Sequence, residues 1–141
     1  MPDRVSSSVR SKIMAAVKQR DTAPEMLLRR ALHALGYRYR TNVRELPGSP
    51  DLVFPARNKA IYVHGCFWHG HACRRGRRPG SRRDYWIPKI AGNRRRDRRN
   101  TAALKSLGWS VLVVWECDLR ENRSAELRRV VRFLGNSGFN R

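Results

Sequence analysis

"KAIYVHGCFWHGHAC", Lys59–Cys73, decides how this chain folds. Its first half has a continuous apolar middle, Ala60–Val63, as a strand at the centre of a sheet requires. Its second half, His64–Cys73, holds His64, His69 and His71 of the chain's 4 histidines and Cys66 and Cys73 of its 3 cysteines. A buried strand therefore runs straight into side chains that ligate metals and move protons. The aromatic pair Phe67 and Trp68 is wedged between them.

Working outward, "LPGSPDLVF" (Leu46–Phe54) reads as a Pro/Gly turn followed by a short strand. "YRYRTNV" (Tyr37–Val43) alternates like a half-exposed strand, and "WSVLVVW" (Trp109–Trp115) is a further buried one. Four helices surround them. "SSSVRSKIMAAVKQR" (Ser6–Arg20) puts Val9, Ile13 and Val17 on one stripe between basic faces, which either pack loosely or lie along a phosphate backbone. In "TAPEMLLRRALHALG" Thr22 caps, Pro24 sits in the first turn, Leu28, Ala31, Leu32 and Leu35 form a face, and Gly36 ends the helix. His33 lies there among arginines and reads as a surface residue.

Tyr85–Leu107 continues as a long helix with Pro88 near its start and Gly108 at its end. "SAELRRVVRFLG" closes the series with Leu127, Val130, Val131 and Leu134 on one face. The order α, α, three β, α, β, α predicts an α/β fold, a single domain whose mixed central sheet is flanked by helices. Its length of 141 residues suits one core. The boundaries follow: a basic helical arm over 1–20, the domain over 21–135 and a short tail over 136–141.

Thirty-one Lys+Arg against 11 Asp+Glu give a net charge of +20. Such self-repulsion calls for a polyanionic partner, nucleic acid first, with a ribosomal-type or membrane-surface protein as the bland alternatives. The preponderance of arginine suits forked phosphate contacts. The first residues lack a signal-peptide core and no apolar run reaches spanning length, so a soluble, cytoplasmic protein is expected. An odd cysteine count argues against a disulfide framework and for thiolate metal ligands.

Cys66, His71, Cys73 and Cys117 make a Cys₃His set, accepted by tetrahedral zinc, that would clip two strand ends together; Cys117 has the alternative reading of a plain core cysteine. Asp51 opens a buried strand after a proline, and Glu25 stands on the preceding helix. Carboxylates at one sheet edge suit magnesium. Each has a local alternative, since Asp51 can cap a turn and Thr22-Ala23-Pro24-Glu25 is a capping box. A free histidine beside the zinc set is a natural proton acceptor if a carboxylate orients it. Asp97, the lone acid in "NRRRDRRN", could do so or could simply pair with its neighbours.

Taken together, "RSKIMAAVKQRDTAPE", "LPGSPDLVF", "HGCFWHGHAC", "YWIPKIAGNRRRDRRN" and "LGWSVLVVWEC" resemble the very short patch repair (Vsr) DNA mismatch endonucleases, a variant of the PD-(D/E)XK, restriction-endonuclease-like fold. The resemblance implies a Mg²⁺-dependent nickase that cuts one strand 5′ to the mispaired T of a T:G mismatch. It implies Asp51 and the backbone carbonyl of Val63 on Mg²⁺, and Glu25 as the acid steadying that ion's water. His64 would contact the scissile phosphate, and His69 would be the general base oriented by Asp97. It implies structural Zn²⁺ on Cys66, His71, Cys73 and Cys117. Phe67, Trp68 and Trp86 would insert beside the mispair, with Met14, Lys89 and Asn93 near the T:G pair itself. The alternative for Phe67 and Trp68 is burial against the knuckle. The implied partner is double-stranded DNA carrying the mismatch, met by a monomer, with mismatch-repair proteins beside it, at the bacterial nucleoid and not at a membrane. The Arg74–Arg83 loop is more basic than the resemblance leads one to expect. Two rivals remain: a nuclease of this fold without mismatch specificity, as in host defence, and a noncatalytic zinc-stabilised nucleic-acid-binding module.

Overall fold

A computed structural model describes residues 22–66, 69, 71, 73 and 82–135. The helix expected over Ser6–Arg20, with Met14, and the wedge residues Phe67 and Trp68 lie outside them, as does most of the Arg74–Arg83 loop. The elements are α1 (Ala23–Ala34), β1 (Arg40–Thr41), β2 (Leu52–Phe54), β3 (Lys59–His64), α2 (Arg83–Ser106), β4 (Ser110–Trp115), α3 (Glu116–Glu121) and α4 (Arg123–Leu134), with a 3-10 turn at Pro55–Arg57. Among the described residues no helix is long and apolar enough to cross a membrane.

The expected mixed sheet is present, in the order β1-β2-β3-β4. β1, β2 and β3 run antiparallel in turn, whereas β4 lies parallel to β3. A parallel pair needs a crossover, and α2 supplies it. The period of two then sorts the side chains. Ile61 and Val114 join Leu28, Leu32, Leu52, Phe54, Leu119, Val130 and Leu134 in a core on one face of the sheet. Ala60 and Tyr62 turn to the other face and pack with Leu104 of α2 and with Val111 and Val113. His64 continues the Ala60–Tyr62 row, so the strand's alternation aims it at α2.

Helix α2 ends as its sequence asks. Gly108 takes φ 94°, its N–H bonds to Lys105, and the Trp109 N–H reaches back to Leu104. These two bonds close a Schellman cap at a position glycine tolerates best. It starts at Arg83, two residues earlier than expected, and Pro88, inside the helix as expected, leaves the Asp84 carbonyl without its usual donor. The strand expected over Tyr37–Val43 shrinks to Arg40–Thr41. Tyr37 and Tyr39 instead pack their rings edge-on against Phe54, at 6.4 and 5.8 Å. The short helix α3 was not legible in advance, and it makes Cys117 a first-turn helical residue.

Candidate active site

A cleft of about 910 Å³ opens where the C-terminal end of β3 meets the start of α1, the middle of α2 and α3. Its lining includes Asp51, Val63, His64, His69, Lys89, Asn93 and Asp97. These expected site residues therefore converge from three separate stretches of chain, while Glu25, Trp86 and the thiol set lie outside the lining.

Asp51 is buried at 8% exposure, and its carboxylate accepts a hydrogen bond of 2.6 Å from the Val63 N–H. The register explains why that donor is available. Leu52 pairs with Ile61, and extending the pairing by two residues puts Pro50 opposite Val63. Residues facing each other across a hydrogen-bonded antiparallel pair exchange both backbone bonds, so the N–H and C=O of Val63 both face this side. Proline has no N–H to give the Val63 carbonyl. The Pro-Asp dipeptide thus ends the ladder, occupies the Val63 N–H with a carboxylate and leaves the adjoining carbonyl facing the same edge.

Glu25 meets Asp51 from α1. It is 1% exposed, its carboxylate pairs with Arg29, and its backbone N–H bonds to the Thr22 hydroxyl at 3.4 Å. Half of the capping box is therefore made, while the glutamate side chain faces the cleft's acid. Burial pushes the Asp51 carboxyl up to about 8, the Glu25 charge adds to that rise, and the Val63 bond opposes it. Two buried carboxylates beside an outward backbone carbonyl are an oxygen set that fits a hard divalent cation.

On the other side of the cleft the two histidines stack, with ring centroids 3.8 Å apart and planes within 3°. Tight turns hold them: the His69 N–H bonds to the Gly65 carbonyl at 3.2 Å. His69 Nδ1 lies 2.5 Å from Asp97 Oδ2, and His64 Nε2 lies 4.0 Å from Asp97 Oδ1. A carboxylate only accepts, so Nδ1 of His69 carries the hydrogen and Nε2 keeps its lone pair for another proton. Asp97 is thus not spent on the arginines around it. His64 is 6% exposed, and its Nδ1 has no hydrogen-bond partner among the described residues. Burial drives its pKa down to about 3, reinforced by His69 and opposed by Asp97, so the ring is uncharged at neutral pH.

Behind this pair the thiols gather. The donor atoms of Cys66, His71, Cys73 and Cys117 all lie within 4.8 Å of one another. Cys117 Sγ and His71 Nδ1 are 3.6 Å apart. A tetrahedral ion with bonds of about 2.3 Å to sulfur and about 2.05 Å to nitrogen holds its ligands about 3.6 Å apart, so the set fits zinc. The His71 N–H bonds to the Cys66 carbonyl at 3.0 Å, and its ring stacks on Trp115 at 4.1 Å. Burial raises the Cys66 and Cys117 thiols in the bare chain, a cost that a bound cation reverses by taking the thiolate.

Lys89 and Asn93, four apart on α2, both line the cleft. Trp86 is 6% exposed and packs edge-on against Tyr85 at 4.7 Å, so insertion into DNA requires it to leave that packing. The sequence reading missed Glu116 and Arg120, which also line the cleft. Their E-x-x-x-R spacing was visible, but the helix that makes it meaningful was not.

A sequence profile of the DNA mismatch endonuclease Vsr family matches residues 2–75. The chain is 51% identical over 128 residues to the type II nicking enzyme V.XorIIP of Xanthomonas oryzae pv. oryzae, covering 91% of this chain and 94% of that one. It is 44% identical over 120 residues to the DNA mismatch endonuclease Vsr of Escherichia coli, covering 85% and 77%. With the type II nicking enzyme V.NmeAIP of Neisseria meningitidis it shares 40% identity over 134 residues, covering 94% and 96%. The chain belongs to the Vsr family of DNA mismatch endonucleases and is a DNA endonuclease.

Proposed function

We propose that this endonuclease nicks one strand 5′ to the mispaired T of a T:G mismatch, using Mg²⁺ for the cut and Zn²⁺ for structure, on a PD-(D/E)XK-like domain spanning residues 21–135. One observation carries the reading: a stacked histidine pair tied to Asp97 shares a single cleft with buried Asp51, which has Glu25 beside it. Asp51 and the Val63 carbonyl would hold the magnesium, with Glu25 steadying that ion's water. When bound, it neutralises charge developing on the phosphate. His69 Nε2 takes the proton of the attacking water, and Asp97 fixes the ring's tautomer and orientation. Uncharged His64 meets the scissile phosphate as a hydrogen-bond donor rather than a cation.

Zinc at Cys66, His71, Cys73 and Cys117 gives the loop its shape, and thereby sets where His64 and His69 stand. Binding of such a metal is itself folding free energy. Cys117→Ser is accordingly expected to lower both the zinc content of the purified protein and its melting temperature. A fully folded wild-type protein without zinc by metal analysis contradicts this role.

Mismatch selectivity rests on deformability. A T:G wobble pair unstacks more readily than a matched pair, and Phe67, Trp68 and Trp86 supply apolar wedges that exploit the difference. Lys89, Asn93 and Met14 would read the pair itself. The basic excess accounts for affinity without sequence preference. The test is nicking of otherwise identical duplexes in magnesium. A T:G duplex is expected to be nicked about 5–150-fold faster than its matched partner, as roughly 1–3 kcal/mol of discrimination per base pair implies. Equal rates on both would leave a nuclease of the same fold without mismatch specificity.

A further inference from the structure

Glu116 and Arg120 belong to none of the cation set, the histidine pair or the thiol cluster, yet both line the catalytic cleft. Glu116 opens α3 directly after β4, one residue before Cys117. Its Oε1 accepts from the Cys66 N–H at 3.3 Å, and its Oε2 accepts from Arg120 Nε at 3.1 Å. The glutamate is therefore tied at both oxygens. One bond fixes it to the backbone two residues beyond His64, and the other fixes a guanidinium.

As a stabilising device this is a poor arrangement, because an i, i+4 ion pair with side chains 24% and 40% exposed contributes little to folding. As a holder it makes sense. Binding through Nε leaves both terminal amino groups of Arg120 without a partner among the described residues. Those groups form the planar fork that matches two oxygens of a phosphate. An arginine whose stem is already immobilised loses less freedom on binding. Lys89, on the far helix, has no such anchor: its ammonium lies over the Tyr85 ring at 5.8 Å.

We propose that Arg120, held by Glu116, binds a backbone phosphate of the DNA strand that lies in the cleft, beside the scissile one; this rests on the reading of the cleft as the nicking site. Glu116 is a positioning residue. It ties the phosphate contact to the Cys66 backbone, so the loop carrying the histidines and the strand they act on are set in one register. Such contacts fix where a protein sits on DNA without reading bases.

The experiment uses the full-length zinc-loaded protein with Arg120→Ala, Arg120→Lys and Glu116→Gln, each checked first for zinc content and melting temperature. Binding to a T:G duplex is measured across a salt series in buffer without magnesium, and nicking is measured with it. For Arg120→Ala the slope of log K against log salt is expected to fall by about 0.9, the loss of one phosphate contact. KM should rise about tenfold with kcat within about twofold, as the loss of a charged hydrogen bond away from the reacting atoms implies. Arg120→Lys should keep the slope and recover KM only in part, because an ammonium cannot make the fork. Glu116→Gln keeps an acceptor for Cys66 and should move KM in the same direction with zinc unchanged. A wild-type slope and KM in Arg120→Ala would overturn the proposal, as would a rise in KM that tracks zinc loss while the slope stays put. A wild-type enzyme indifferent to mismatch counts against T:G specificity alone and leaves the slope comparison valid.

Discussion

Asp51→Asn is expected to cut the nicking rate by at least about 10³-fold while leaving DNA affinity close to wild type, since a catalytic cation contributes several kcal/mol of charge stabilisation. The amide keeps an oxygen for the Val63 N–H, so the strand edge need not rearrange. Affinity rests on the arginines and not on this carboxyl. A second readout follows from the raised Asp51 pKa. Without a cation, holding this group charged in its buried place costs stability above its unfolded value near 3.8, and the cost grows until the pH passes the folded value of about 8. In magnesium-free buffer at neutral pH the variant should therefore melt higher than wild type, and the difference should shrink as the pH falls towards 4. An Asp51→Asn protein that nicks at the wild-type rate removes this residue from the cation set.

His69→Ala is expected to lower the rate by about 10²–10⁴-fold, the usual contribution of a general base. Asp97→Asn should act in the same direction, because it takes away the acceptor that holds the proton on Nδ1. The two act as a unit, so the double variant should lose far less than the product of the single losses. Measured by single-turnover nicking, independent multiplicative losses would mean that the 2.5 Å contact is not the working arrangement.

Much of this was legible in the chain. The apolar runs of β3 and β4 and the Gly108 stop were plain, as was the Cys66/His71/Cys73 cluster, whereas distant Cys117 kept a core reading until the fold brought it there. Each rests on local patterning, which a sequence carries openly. The losses fell where tertiary contacts decide. "ECDLRE" is too short for an apolar period and starts where a strand ends, so α3 stayed hidden. "YRYRTNV" has the alternation of a strand, but its tyrosines found better partners on Phe54. For Glu25, Thr22 takes its N–H as the capping box expects, while its carboxylate lies beside Asp51 and not on the cap, a placement only the tertiary fold decides. Asp97 and His69 are 28 residues apart, so their expected pairing came from the family resemblance and from no local signal. The coincidence of Pro50 with Val63 needed the strand register.

If zinc shapes this site and magnesium drives the cut, one measurement separates their duties: zinc content and nicking of a T:G duplex, followed together as magnesium is titrated over zinc-loaded protein. The zinc is expected to stay at one per chain throughout, with no nicking before magnesium is added and a saturable rise afterwards. Full nicking in zinc-loaded protein without magnesium, or displacement of the zinc as the rate rises, would contradict that division.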